Sequence, residues 1–135
     1  RHLINYRCGT GHSVSFVGNV HEGPHALNGR NTVVFQPGMI VTDEPGVYEG
    51  GQVGIRIENE LMCVHKADNQ YGTFLGFEPI MFVPIATSPV VPGVLTRDEL
   101  DWLNAYHREV FTKLAPRLTE EERDWLAKKC AAIGA

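Results

Sequence analysis

The chain has no apolar run of the length that crosses a bilayer, so a membrane is not an expected partner. Cysteine is scarce: Cys8, Cys63 and Cys130 are odd in number and far apart, which favours reduced thiols over a disulfide framework. They also lack the paired spacing of a sulfur-rich zinc site. No stripe of one charge sign is present. The 12 Lys and Arg are interspersed among 16 Asp and Glu, for a net charge of -4, and a nucleic-acid binder would concentrate its basic residues. No secretory pattern stands at the start, although a chain that opens at Arg1 rather than Met makes that absence uninformative. Internal repeats and low-complexity tracts are missing as well. What remains is a 135-residue chain with a 43% hydrophobic fraction, enough for one folded domain and too much for disorder.

Two textures divide it. Residues 1 to about 95 are rich in Gly, Pro and β-branched residues. Val33-Val34-Phe35 and Met39-Ile40-Val41-Thr42 read as strands around the turn Gln36-Pro37-Gly38, with too little chain between them for a crossover helix. Gly50-Gly51 reads as a tight turn. Beyond it, period two puts Arg56 and Glu58 on one strand face and Ile55 and Ile57 on the other. A further strand is expected over Ile80 to Val83. From about residue 96 the period becomes helical. Thr96 with Glu99 and Thr119 with Glu122 are capping-box pairs. Leu100, Leu103, His107, Val110, Phe111 and Leu114 form one apolar stripe, and Pro116 closes the first helix. These stripes predict packing against the sheet or against each other, and neither helix carries a catalytic constellation.

Chemistry concentrates in the first texture. Gly9-Thr10-Gly11-His12 lets backbone approach closely beside an imidazole, and Val20-His21-Glu22-Gly23-Pro24 follows. Glu44 stands where an apolar strand gives way to the turn Pro45-Gly46. Glu58 interrupts an otherwise apolar strand pattern. An inward strand carboxylate needs a compensating cation or a raised pKa. One histidine with two glutamates is a mixed nitrogen and oxygen set, suited to Mn, Zn, Co or Fe. The residues alone also allow a small β-rich domain with Glu44 at a turn and Glu58 in a surface salt bridge. His25, His65 and His107 lack motif support and read as structural or solvated.

Four ordered motifs carry a resemblance. Gly11-His12, Val20-His21-Glu22-x-Pro24, Gly38-Met39-Ile40-Val41-Thr42-x-Glu44-Pro45-Gly46-x-Tyr48 and Gly54-Ile55-Arg56-Ile57-Glu58-Asn59 resemble the successive motifs of the aminopeptidase P and prolidase family, the metallopeptidases of the pita-bread fold. The tail, Leu95-Thr96-x-x-Glu99-x-x-Trp102-Leu103-Asn104-x-Tyr106-His107 and Leu118 to Leu126, resembles the long Xaa-Pro aminopeptidases. The resemblance covers nearly the whole chain and only the later part of a family catalytic domain. It implies an α+β fold, with a curved antiparallel sheet and helices packed on its convex side.

It also implies roles. His12, Glu44 and Glu58 would be metal ligands, Glu58 bridging two ions. His21 would meet substrate near the scissile bond, Arg56 would hold ligand carboxylates, and Glu44 would pass a proton to the leaving nitrogen. The implied cofactor is a pair of divalent ions, Mn²⁺ first with Zn²⁺ or Co²⁺ as alternatives, and the implied substrates are peptides with proline in second position. A cytoplasmic location is the matching expectation, and a homodimer is one implied form.

Two departures qualify the match. Family members commonly have Gly-His-Gly-x-Gly where this chain has Gly11-His12-Ser13-Val14-Ser15, and Phe16 stands where a polar residue or histidine is frequent. More important, the family draws two further aspartate ligands from upstream, and the residues before His12 contain no Asp or Glu. The chain is therefore expected to hold three of five protein ligands and to be inactive alone. The alternatives are a prolidase-like dipeptidase, a creatinase-like hydrolase, or a non-catalytic domain of the same fold.

Overall fold

The strand expected over Met39 to Thr42 forms, as Ile40–Asp43, because the residues before it dictate a reversal. In Gln36-Pro37-Gly38-Met39, proline presets its own φ and Gly38 takes φ +91°, while Met39 N–H closes the turn on the Gln36 carbonyl at 3.1 Å. A computed structural model describes residues 7–134 of the chain. These fall into two compact units, Arg1–Met81 and Phe82–Ala135.

In the first unit, β1 (Ile40–Asp43) lies beside β4 (Asn59–Asn69), and β4 beside β5 (Gly72–Pro79), in a three-stranded antiparallel sheet. Val41 faces Leu61 in the register of β1 with β4, and Cys63 faces Phe77 in that of β4 with β5. β2 (Gly46–Glu49) and β3 (Val53–Arg56) form a separate hairpin across the Gly50-Gly51 turn, where Gly51 has φ +71°. Val41, Thr42 and Cys63 are fully buried. The free edge of β1 is taken by the Thr10–Ser13 segment: Ser13 bridges Val41, Thr42 N–H reaches the His12 carbonyl at 2.9 Å, and Glu44 N–H reaches the Thr10 carbonyl at 2.6 Å. That docking positions the site described below.

Three local expectations are corrected. Val33–Phe35 is not a strand, because the Asn31 side chain takes both groups a ladder would use, accepting from Val33 N–H and donating to the Val33 carbonyl. Ile80–Val83 is not a strand either. The chain leaves the sheet after Pro79, with one last bond from Ile80 N–H to the Glu60 carbonyl. Finally, β3 stops at Arg56, so Glu58 sits in the two-residue link to β4 rather than within a strand.

The second unit carries α1 (Arg97–Leu114) and α2 (Glu120–Lys129). Both predicted capping boxes are present, each threonine hydroxyl accepting the third backbone N–H and each glutamate reaching back to the threonine N–H. Tyr106 and Val110 of α1 pack with Leu126 of α2, surrounded by Phe82, Ile85, Phe111, Leu114, Leu118 and Cys130. Phe82 and Ile85 explain why this unit begins well before the change of texture near residue 95. No helix among the described residues is long and apolar enough to cross a membrane.

His107 lies fully buried in this unit, and its Nε2 accepts the Ile85 N–H at 3.1 Å. Burial pushes its pKa below the ordinary 6.5, and accepting an N–H requires an unprotonated Nε2. A histidine whose folded pKa lies below its unfolded one binds its proton first in the unfolded chain. The neutral ring therefore stabilises the fold fully above about pH 6.5, and this contribution is lost as pH falls below that value. The expected result is a melting temperature that drops between pH 7.5 and 5, with a shallower drop in His107→Gln. Thermal unfolding of both proteins across that range checks it.

Candidate metal centre

Gly11 is what lets the histidine segment lie against β1. A Cβ on it would fall 1.8 Å from the Thr42 carbonyl oxygen and 3.0 Å from Leu27 Cβ, so no side chain is accommodated. With the backbones this close, His12 N–H donates to Thr42 Oγ1 at 3.0 Å, and the imidazole of the next turn of chain is delivered to the end of β1. There Glu44 follows the strand and is buried.

His12 Nε2 lies 3.0 Å from Glu44 Oε1. On the other side of the ring, Nδ1 is 2.9 Å from the Ser13 carbonyl. A carbonyl can only accept, so Nδ1 carries a proton, and Nε2 is the ring nitrogen turned to the carboxylate oxygen. A cation holds that nitrogen and the carboxylate together, either a proton on Nε2 or a metal ion bound by both. Fixing one imidazole nitrogen on a backbone carbonyl is also how metal-ligating histidines are oriented. The ring of His21 approaches that of His12 with centroids 4.0 Å apart. One ligand atom from each of His12, His21 and Glu44 lies within 4.8 Å of the others. His12 is half-buried, His21 exposed and Glu44 buried, so the cluster has a closed floor and an open mouth.

The His12 imidazole and the Glu44 carboxylate fit a divalent ion of the Mn, Zn or Co kind, with no thiolate beside them, and the His21 imidazole stands at the mouth. Cys8 points elsewhere, its thiol 3.5 Å from the Gly46 carbonyl, and Cys63 is a buried residue of β4.

Around the carboxylate lies a second set of contacts. Thr42 Oγ1 donates to Glu44 Oε1 at 3.0 Å, and the Arg56 guanidinium pairs with Glu44 Oε2. Arg56 is itself held, its Nε donating to the Tyr48 hydroxyl at 2.7 Å. That hydrogen bond first, and then the charges of Tyr48 and Glu44, raise the guanidinium pKa above its ordinary value, so it is a permanent cation. The Tyr48 ring is placed by its cross-strand partner Gly54, where a Cβ would come within 2.9 Å of the ring. Glycine at position 54 therefore serves arginine at position 56 through tyrosine at position 48.

Of the residues singled out in the sequence, His12, His21, Glu44 and Arg56 are brought together. Glu58 is not; it is exposed, in the link between β3 and β4, outside the three-residue cluster. Thr42 was not singled out as more than a motif position, and the signal that would have found it is its hydroxyl two residues before a buried glutamate. His25 is buried, its Nε2 donating to the Ile40 carbonyl at 2.7 Å, and has a structural role.

Comparison with known proteins follows the same lines. Residues 2–65 match the model of metallopeptidase family M24, and residues 73–133 match that of the C-terminal region of peptidase M24. The X-prolyl aminopeptidase of Caenorhabditis elegans, described as a cytosolic enzyme with a di-nuclear active site, superposes with a TM-score of 0.76 at 38% identity, over 93% of this chain and 21% of that one. Aminopeptidase P2 of Arabidopsis thaliana is 47% identical over 130 residues, which are 91% of this chain and 18% of the relative. The probable Xaa-Pro aminopeptidase P of Coprinopsis cinerea is 41% identical over 138 residues, 96% of this chain and 22% of the relative. The fold is thus the α+β pita-bread fold of the metallopeptidases. The chain belongs to metallopeptidase family M24. It spans about a fifth of the length of the relatives it matches.

Proposed function

We propose that this chain supplies one side of the metal centre of an Xaa-Pro aminopeptidase, a hydrolase that removes the N-terminal residue of a peptide whose second residue is proline. The observation that carries the reading is the convergence of His12, His21 and Glu44, with His12 Nε2 3.0 Å from Glu44 Oε1. In this reading His12 and Glu44 hold a divalent ion, Mn²⁺ being the first choice, and Glu58 contributes to a second. When bound, such a pair supplies a water ionised near neutral pH and polarises the scissile carbonyl. The other roles belong to the chain. His21, at the open mouth of the cluster, meets the substrate and donates to the oxygen where negative charge develops. Arg56 neutralises Glu44 from behind and keeps its Oε1 turned towards His12. Glu44 would take up the proton that the attacking water loses and pass it to the proline nitrogen, which has no hydrogen of its own.

The nematode and plant relatives, named as X-prolyl aminopeptidase and aminopeptidase P, support the substrate class. The remaining ligands are proposed to come from aspartates of an upstream segment, whose strands would also cover the half-exposed Val53 and Ile55 of β3 and Phe74 of β5. A cytosolic setting is carried over from the nematode enzyme.

The test is release of the N-terminal residue from an Xaa-Pro peptide, with and without added Mn²⁺, by the full-length protein and by the 135-residue chain. Metal-dependent release by the full-length protein and essentially none by the chain alone is the expected result. Failure of the metal-loaded full-length protein on every Xaa-Pro peptide would defeat the aminopeptidase assignment.

A further inference from the structure

We propose that Thr42 is a positioning residue for the metal centre, one whose hydroxyl makes Glu44 a single-oxygen ligand; this rests on the metal reading above. Thr42 Oγ1 has one hydrogen and two nearby acceptors, Glu44 Oε1 at 3.0 Å and the His12 carbonyl at 3.5 Å. The carbonyl is already served by Thr42 N–H at 2.9 Å, so the hydroxyl proton goes to the carboxylate. At the same time Oγ1 accepts the His12 N–H at 3.0 Å. One buried hydroxyl therefore fixes the backbone of one metal-facing residue and the side chain of another, and its own position is set by a fully enclosed strand residue.

The consequence for the carboxylate follows from counting its lone pairs. Arg56 takes one lone pair of Oε2 and neutralises that oxygen, and Thr42 takes one lone pair of Oε1. Of the two oxygens, Oε1 is the one beside His12 Nε2, 3.0 Å away, and it keeps a lone pair that Thr42 does not use. Rotation of the carboxylate to present both oxygens would break the Arg56 pair and the Thr42 bond together. Glu44 is thereby pre-set to bind through Oε1 alone, in register with His12 Nε2. Without the hydroxyl, the carboxylate and the His12 backbone are each free to shift, and the two donor atoms no longer arrive at one point.

The experiment is Mn²⁺ binding by titration calorimetry on the full-length protein, without substrate, with melting temperatures measured in parallel. Thr42→Val keeps the side-chain shape and deletes both hydroxyl contacts; Thr42→Ser restores them. Val41→Ala, on the neighbouring fully buried position, weakens the same strand without touching Glu44. Thr42→Val is expected to weaken Mn²⁺ binding by about 10- to 100-fold, the usual effect of losing a partner that orients a metal ligand. Thr42→Ser and Val41→Ala are expected to stay within about threefold of the parent, well short of that effect, although Val41→Ala melts lower. Unchanged affinity in Thr42→Val beside a parent that binds Mn²⁺ would overturn the role of Thr42 alone. So would an equal loss in Val41→Ala, which would mean that affinity merely follows strand stability. A parent that binds no Mn²⁺ would overturn the metal reading and this inference with it.

Discussion

Glu44→Gln in the full-length protein is expected to reduce Xaa-Pro hydrolysis by at least about 10³-fold, beyond the 10- to 100-fold typical of residues that only orient a ligand. The substitution keeps the shape of the side chain and an acceptor oxygen for Thr42, and removes the charge. That charge does three things in the proposed centre: it binds and neutralises the ion beside His12 Nε2, it pairs with Arg56, and it carries a proton. The melting temperature should move little by comparison. Removing a buried carboxylate relieves its desolvation, and the Arg56 side chain, 38% exposed, retains water as a partner. Activity collapsing while stability holds is the signature of a ligand. Steady-state rates for the parent, Glu44→Gln and Glu44→Asp, with melting curves for each, provide the check. A variant within about tenfold of the parent would mean that Glu44 is no ligand, since even an orienting partner costs that much.

The second large effect is expected from a single methyl group. Gly11→Ala would set a Cβ 1.8 Å from the Thr42 carbonyl oxygen and 2.8 Å from its carbon, both backbone atoms of a buried strand. Neither can yield as a flexible side chain would. The Thr10–Ser13 segment must lift off β1, breaking the bonds from Thr42 N–H to His12 and from Glu44 N–H to Thr10, and taking His12 away from Glu44. Overpacking costs about 1–3 kcal/mol where side chains can adjust, and a backbone clash belongs at or above the top of that range. The expected outcome is loss of both Mn²⁺ binding and several degrees of melting temperature. Gly9→Ala, where a Cβ meets nothing within 4 Å, should leave both near the parent values. Calorimetry and thermal unfolding of the pair distinguish close approach from general intolerance of the loop.

Those two predictions mark what the sequence revealed and what it hid. The Gly-Thr-Gly-His segment announced a close backbone approach before any coordinates, since clustered glycine beside a functional side chain has few other uses. The capping boxes were equally legible, because Thr96 with Glu99 and Thr119 with Glu122 is a local pattern that tertiary structure does not need to complete. The long β4–β5 hairpin was not. Leu61, Met62, Cys63 and Val64 run without alternation, and a bulge at His65 and Ala67 breaks the period further along, so no clean two-residue rhythm survives. Its two-residue loop, Gln70-Tyr71, lacks the usual Asn-Gly signal and is instead closed by Asn69 Oδ1, which accepts the Tyr71 N–H.

The site divides in the same way. His12, Glu44, His21 and Arg56 could be singled out because each stands in a short motif of its own. What joins them is long-range. Residues 30 apart in the chain meet through Thr42 Oγ1, and Arg56 reaches Glu44 only because the hairpin folds β3 back along β2. Period two also put Glu58 on the face of Arg56, an argument valid only while the strand lasts, and β3 ends at Arg56. A hydroxyl such as that of Thr42 has no sequence signature, since threonine in a strand is unremarkable by propensity.

The most direct test of the central claim is the anomalous difference map of the full-length protein crystallised with Mn²⁺, recorded with X-rays absorbed by manganese. The predicted result is a peak within bonding distance of both His12 Nε2 and Glu44 Oε1, with Arg56 still on Oε2 and Thr42 still on Oε1. A protein saturated with Mn²⁺ whose peaks all lie away from His12 and Glu44, those two remaining in direct contact with each other, would contradict it.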